Sequence, residues 1–219
     1  LVKGGFPSFI RKTDEERIQN LKKDLPRLSE MIFHVTEKLD GTSCTMYFKD
    51  GVFGVCSRNL DLKETEDNTL WNVARKLDIE EKIRHIMEKT ENLDPIDTFI
   101  KNLKNFALQG EVIGEGIQGN LYKIKGQEYH VFNGFDIDNQ EYISFTNLVF
   151  LCECLGLKHV PILNTFVNIR NMDVDDLLSY AEGKSKLNPD VEREGVVLKT
   201  QNREESFKAI SNKFLLGAK

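Results

Sequence analysis

The amino-acid sequence predicts an α+β domain of antiparallel sheets flanked by helices. Three observations lead there. β-rich stretches separated by Asp-Gly turns fill residues 31–58; apolar residues recur at helical spacing further along; and strands and helices mix with no regular βαβ alternation and no internal repeat.

Taken in order, Leu1 to Pro7 reads like a linker, so residues 1–8 are expected to be a linker-like start that comes after an N-terminal domain, with the folded domain over 9–219. Thr13-Asp-Glu-Glu16 has the form of a capping box ahead of Ile18 and Leu21, which predicts a helix from about Asp14 to Leu25, stopped by Pro26. MIFHVTEKL, SCTMYFK and VFGVCSR come next as strands. Asp50-Gly51 between the last two marks a hairpin, because both positions of a tight two-residue turn take positive φ. Leu70, Val73 and Leu77, then Ile79, Ile83 and Ile86, place helices between about Asp67 and Thr90, and Asp94-Pro95 caps another running to about Leu103. Strand character returns at FALQGEVIG and YHVFNGFDI. A Thr146-capped apolar helix runs through Leu155, DVDDLLSYAEG is a helix ending at Gly183, and GVVLKT and SFKAI are the last strands.

The composition is that of an ordinary soluble globular protein, 40% hydrophobic and 30% charged. No apolar run approaches the ~20 residues of a membrane helix, and no secretory segment is visible, so an intracellular, soluble protein is expected. Cys44, Cys56, Cys152 and Cys154 form no CxxC pair and lie near no histidine at zinc-ligand spacing, which reads as structural thiols. A net charge of −5 argues against a surface coated for nonspecific nucleic-acid binding but leaves room for a local basic groove.

Glu37-Lys38-Leu39-Asp40-Gly41-Thr42 puts a lysine at a strand end, against a turn, with a carboxylate two residues on. A lysine that bonds to phosphorus must be neutral when it attacks, which calls for desolvation or a nearby positive charge. Alone, Lys-x-Asp-Gly describes many solvated turns. Its weight comes from five further blocks later in the chain: Ser57-Arg58-Asn59 closing the hairpin, Glu111 in LQGEV, Phe132 to Asp136 as FNGFD, Glu194 heading EGVVLK, and Lys208 in SFKAI with Lys213 beyond.

With these blocks in this order, the chain resembles the covalent nucleotidyltransferases, the ATP-dependent DNA and RNA ligases and the RNA-capping enzymes, and is most similar to nick-sealing RNA ligases. The resemblance runs from about Phe9 to Leu216. It implies an adenylation domain with an ATP-grasp-like ligase fold, ATP lying in a cleft between the sheets, and Lys38 as the nucleophile that carries AMP to an RNA 5′-phosphate before a 3′-hydroxyl attacks. Asp40, Glu111 and Glu194 would surround a hydrated Mg²⁺ or Mn²⁺, which suits oxygen ligands acting partly through water. Arg58 would contact ribose or phosphate, Glu111 a ribose hydroxyl, and Lys208 the α-phosphate. Glu37, Leu39 and Val196 would also belong to the cofactor site, and Arg17 would reach the β- and γ-phosphates. An aromatic ring of FNGFD should stack on adenine. Phe135 fits that position best, with Phe132 on the opposite strand face by alternation. Members of the family often carry a second lysine where this chain has Ile210, which leaves Lys208 as the main cation there and Lys213 as an alternative. Rival readings are a DNA ligase or guanylyltransferase of the same superfamily, and a nucleic-acid-binding relative without the chemistry. An accessory RNA-binding domain would precede Leu1, and no membrane partner is expected.

Overall fold

The computed structural model describes residues 1–89 and 98–217, and it is α+β with largely antiparallel sheets. Two compact units are each assembled from three separate stretches of chain.

The first unit comprises Leu1–Thr13, Thr42–Val112 and Gln127–His159. Its sheet runs in the order β1 (Val2–Gly5), β5 (Leu60–Leu62), β4 (Val52–Cys56), β3 (Thr42–Lys49), β6 (Phe106–Gly114), β7 (Gln127–Asp136), β8 (Glu141–Tyr142), and β9 (Lys158–His159) adds to β7 in parallel. Asp50 and Gly51 take φ of 52° and 77°, the positive values that a tight hairpin turn requires, and they set the β3–β4 register from Lys49↔Val52 to Thr45↔Cys56. Helices α2 (Thr69–Lys76), α3 (Ile79–Lys89) and α5 (Phe145–Leu155) lie where the apolar spacing predicts them, and α4 (Thr98–Asn102) is a short turn. Trp71 on α2 is buried, donates its indole N–H to the Leu62 carbonyl at 3.0 Å and meets Phe53 edge-on at 5.7 Å. A further core cluster joins Ile10, Tyr47, Cys56, Ala107, Phe135 and Ile137.

The second unit comprises Asp14–Gly41, Ile113–Gly126 and Val160–Lys219. Its sheet runs β10 (Ile162–Asn168), β2 (Ile32–Lys38), β11 (Gly195–Lys199), β12 (Ser206–Ile210), antiparallel throughout. One face forms the core: Phe33 and Val35 from β2, Val196 and Leu198 from β11, Phe207 and Ala209 from β12, packed with Ile18, Leu28, Leu177 and Ala181. Helix α6 (Val174–Ala181) supplies the last two and starts from a capping box between Asp173 and Asp176. The chain also contains the short helices α1 (Leu25–Leu28) and α7 (Asn212–Gly217).

Several local expectations are corrected. Val2–Gly5, expected as linker, is an edge strand paired with β5. The helix predicted from Asp14 to Leu25 does not start at the Thr13 box. Instead the Glu16 carbonyl accepts the Lys208 N–H at 2.8 Å and Arg17 makes a parallel bridge to Lys208. The backbone groups that would open a helix are spent on β12, and only a 3-10 turn over Ile18–Asp24 forms. Pro26 does not stop a helix but sits in the first turn of α1, where its missing N–H costs nothing. Helix α5 is capped by Ser144, whose hydroxyl accepts the Asn147 N–H, and not by Thr146. Ser57–Asn59 opens the turn from β4 into β5 and does not close the β3–β4 hairpin. The Asp94-Pro95 cap lies outside the described residues. No helix among the described residues is long and apolar enough to cross a membrane. Cys44, Cys56 and Cys152 are buried free thiols and Cys154 is an exposed one.

Candidate active site

In the second unit, Lys38 ends β2 directly across from Gly195, the first residue of β11. Alternation points Phe33 and Val35 into the core, so Lys38, with His34 and Thr36, takes the opposite face of the sheet. On that same face β11 shows Gly195, Val197 and Lys199, and β12 shows Ser206, Lys208 and Ile210. The Lys38 ammonium lies 3.2 Å from Glu194 Oε1, with the two side chains 24% and 16% exposed. Burial raises the Glu194 pKa, the Lys38 charge pulls it back down, Asp40 raises it, and Lys208 lowers it. Lys38, Asp40, Glu194 and Lys208 therefore form one electrostatic group around the end of β2.

The turn after Lys38 is pinned. The Asp40 N–H donates to Tyr122 Oη at 2.7 Å, and Tyr122 is buried, which pushes its phenol pKa well up. Glu194 is set by the ladder: its carbonyl accepts the Ser211 N–H at 2.8 Å. Gly195 cannot carry a side chain, because a Cβ there would stand 2.2 Å from the Ala209 carbonyl oxygen.

The side chains of Glu37 and Val196, expected in the cofactor site, point elsewhere. The Glu37 carboxylate accepts the Ser185 hydroxyl and the Lys186 N–H, both at 2.7 Å. Burial raises its pKa and those two hydrogen bonds lower it, so its side chain is a strut between β2 and the 184–188 loop. Val196 is fully buried in the core. Its neighbour Val197, half-buried and cross-strand from both Thr36 and Lys208, is the valine on the lysine's face. Sequence reasoning misses it because Val196, Val197 and Leu198 are all apolar and only the pairing with β2 assigns their faces. Leu39 is buried. Arg17 is exposed and runs beside Lys208, whereas Lys213 turns to Glu182 at 3.8 Å on the surface. Ile210 stands cross-strand from Gly195.

In the first unit, Glu111 is half-buried on β6, opposite Ser43. A row of polar contacts accompanies it: Ser43 Oγ with Thr13 Oγ1 at 3.1 Å, the Gln109 amide to the Arg11 carbonyl at 2.7 Å, and the Asn133 amide to Gln109 Oε1 at 3.0 Å. Arg58 is exposed in the turn from β4 to β5. Phe135, the ring expected on adenine, has no exposed surface and packs edge-on against Tyr142 at 5.3 Å. Phe132 keeps part of its surface. Strand alternation does not decide between them, because β7 changes face along its length. The Tyr129 ring fills the space over Gly110, while Asn133 reaches Gln109, which belongs to the other face of β6.

No three His, Cys, Asp or Glu side chains among the described residues gather closely enough to ligate a metal ion directly. The Glu194 Oε2 atom is nevertheless buried with no hydrogen-bond partner, beside the Asp40 carboxylate that raises its pKa. A buried acceptor of this kind, next to a second carboxylate, fits a cation held partly through its own waters.

A lysine and a glutamate in contact at a strand end, a second lysine on the next strand but one, and antiparallel sheets flanked by helices define a nucleotidyltransferase-type ligase fold. Residues 31–210 match the RNA ligase family, and the chain belongs to that family. Among solved structures, a variant of Naegleria gruberi RNA ligase with ATP and Mn superposes with a TM-score of 0.86 at 40% identity, over 98% of this chain and 59% of that one. The same ligase with PPi gives 0.86 at 41% identity, over 99% and 60%, and a variant with AMP and Mn gives 0.85 at 40%, over 98% and 60%. The chain thus spans about three fifths of the length of these relatives. A comparison with curated proteins finds no match.

Proposed function

We propose that this chain is the adenylating part of an ATP-dependent RNA ligase, in which Lys38 takes AMP from ATP and passes it to an RNA 5′-phosphate for joining to a 3′-hydroxyl. The observation that carries the reading is the Lys38–Glu194 contact of 3.2 Å, made in a chain of the RNA ligase family whose structural neighbours were solved with ATP, AMP and Mn.

In the first step the Lys38 Nζ lone pair forms a bond to the α-phosphorus, the bond from that phosphorus to the bridging oxygen breaks, and pyrophosphate leaves. Glu194 Oε1 holds Nζ at the strand end and lies next to the proton the amine sheds. Lys208, a point charge on the same face, takes the negative charge that builds on the α-phosphate oxygens. Arg17 meets the β- and γ-phosphates. The family resemblance assigns Glu111 and Arg58 to the ribose and phosphate and a ring of FNGFD to adenine, for which Phe132, with accessible surface, is the candidate. Asp40, Glu111 and Glu194 would hold Mg²⁺ or Mn²⁺ through water, and the ion would neutralise charge on the phosphates. As in phosphoryl transfer generally, positioning and charge do most of the work.

The test is incubation with α-labelled ATP or GTP and a divalent cation, followed by denaturing electrophoresis. A covalent label is expected from ATP and not from GTP, and it should vanish in Lys38→Ala. Label from GTP alone would overturn the ligase reading, and a label that survives Lys38→Ala would remove the nucleophile. Sealing assays on nicked duplexes, with RNA or DNA at the 3′-hydroxyl side, then read the substrate.

A further inference from the structure

The stretch that carries Arg17 is tied to β12 by backbone pairing and, just before it, by the Glu15 carboxylate. Glu15 accepts the Ser206 hydroxyl at 2.6 Å and pairs with Arg203. Both charged side chains are only 10% exposed. One residue further, the Glu16 carbonyl accepts the Lys208 N–H at 2.8 Å, and one further still Arg17 bridges to Lys208. Arg17 itself is exposed, and its guanidinium has no hydrogen bond or ion pair among the described residues.

A buried ion pair is a poor source of stability, since apolar residues of the same volume commonly do as well. What it does provide is geometry. Glu15 also acts on Lys199, the buried lysine cross-strand from Ser206, whose pKa it raises against the effect of burial, and its bonds to Arg203 and Ser206 give the carboxylate one place to sit. With Glu15 fixed, alternation along the extended backbone brings Arg17 alongside Lys208, and an unengaged guanidinium next to a lysine is a site for a polyanion.

We propose that Glu15 is a positioning residue for the leaving-group end of ATP: it sets the path of residues 15–17 and thereby aims Arg17 at the β- and γ-phosphates. The inference rests on the adenylation reading above for the identity of the nucleotide. Its signature is selectivity between nucleotides, because AMP lacks the two phosphates that Arg17 would meet.

Dissociation constants for ATP and AMP with Mg²⁺ are to be measured by calorimetry in a Lys38→Ala background, so that ATP is bound and not consumed. Adding Glu15→Gln should weaken ATP about tenfold, the loss of one charge-assisted contact, and leave AMP unchanged. Arg17→Ala should do the same, and the Glu15→Gln/Arg17→Ala pair should be no worse than Arg17→Ala, because both remove one interaction. Ser206→Ala, which keeps the Arg203 pair, should weaken ATP a few-fold and decides the matter if Glu15→Gln does not fold. Equal weakening of ATP and AMP, multiplicative losses in the pair, or no effect of Arg17→Ala would each overturn the inference. A missing Lys38 adduct in the wild type with ATP selectivity intact would sink the ligase reading and leave the role of Glu15 standing.

Discussion

Replacing Gly195 by alanine adds one methyl group at the point where β11 begins and Lys38 is held. That carbon would stand 2.2 Å from the Ala209 carbonyl oxygen and 3.0 Å from the Ile210 Cα. Carbon–oxygen contacts between strands settle at about 3.3 Å or more, so β11 and β12 must part locally by roughly 1 Å. The neighbours are backbone, which cannot rotate away as a side chain would. Opening the ladder by that amount takes hydrogen bonds of ~2.9 Å out of range. With one or two buried groups left unsatisfied, the loss is about 2–4 kcal/mol. For a chain of this size that is a fall in Tm of about 5–15 °C. Glu194 is the adjacent residue and its carbonyl is part of the same ladder, so the carboxylate next to Lys38 moves too. A displacement of ~1 Å at a reacting group can cost about a hundredfold in rate. The assays are thermal melting by circular dichroism and the rate of Lys38 labelling by ATP below the mutant's Tm. A Gly195→Ala protein that melts within about 2 °C of wild type and labels at the same rate would refute the claim that close strand approach builds this site.

Phe132→Ala should leave the Tm nearly unchanged and weaken ATP by about tenfold or more, as stacking on a base is worth ~1–3 kcal/mol. Phe135→Ala should instead cost about 3–5 kcal/mol of stability, and the reverse pattern in melting and ATP titration would return Phe135 to the adenine. Glu37→Ala strands the Ser185 hydroxyl and the Lys186 N–H, so urea unfolding should register a loss of about 2–4 kcal/mol; a loss within experimental error would dismiss the strut. Burial, with Arg203 nearby, lowers Lys199 from 10.5 to about 7. Between those values the unfolded chain holds a proton that the folded one has released, so this group's contribution to stability rises with pH, by up to ~1.4 kcal/mol per unit. Below about pH 7 both states are protonated and the cost of the buried charge is fully felt. Lys199→Met should therefore flatten the rise in unfolding free energy between pH 7 and 9, and parallel curves for the two proteins would contradict the assignment.

The elements legible in the sequence are those whose signal is local. The Asp50-Gly51 turn, the periodic helices α2 and α3, and the DVDDLLSYAEG helix α6 all depend on neighbours in the chain, and all are present. Lys38, Glu194 and Lys208 are legible for another reason: their order along the chain matches that of a family. Thr13–Glu16 misleads because a distant strand, β12, claims the backbone that the local capping signal would have used. Strand β10 gives no signal because its residues are mostly exposed and show no apolar alternation. Val196 lies on the core face and Val197 on the lysine's face, and Phe135 is buried where Phe132 keeps part of its surface; none of this shows in the sequence. An unbroken apolar run hides its own register, and a strand that changes face partway defeats any count by twos.

The pairing of Lys38 with Gly195 joins the second strand of the chain to the second from last. During synthesis Lys38 therefore emerges well before Glu194, the carboxylate it contacts. A product cut short before Glu194 would carry Lys38 but neither the carboxylate that contacts it nor Lys208. On the adenylation reading, a fragment that ends before Glu194 is expected to take no covalent label from ATP, because the contact between Lys38 and Glu194 is missing.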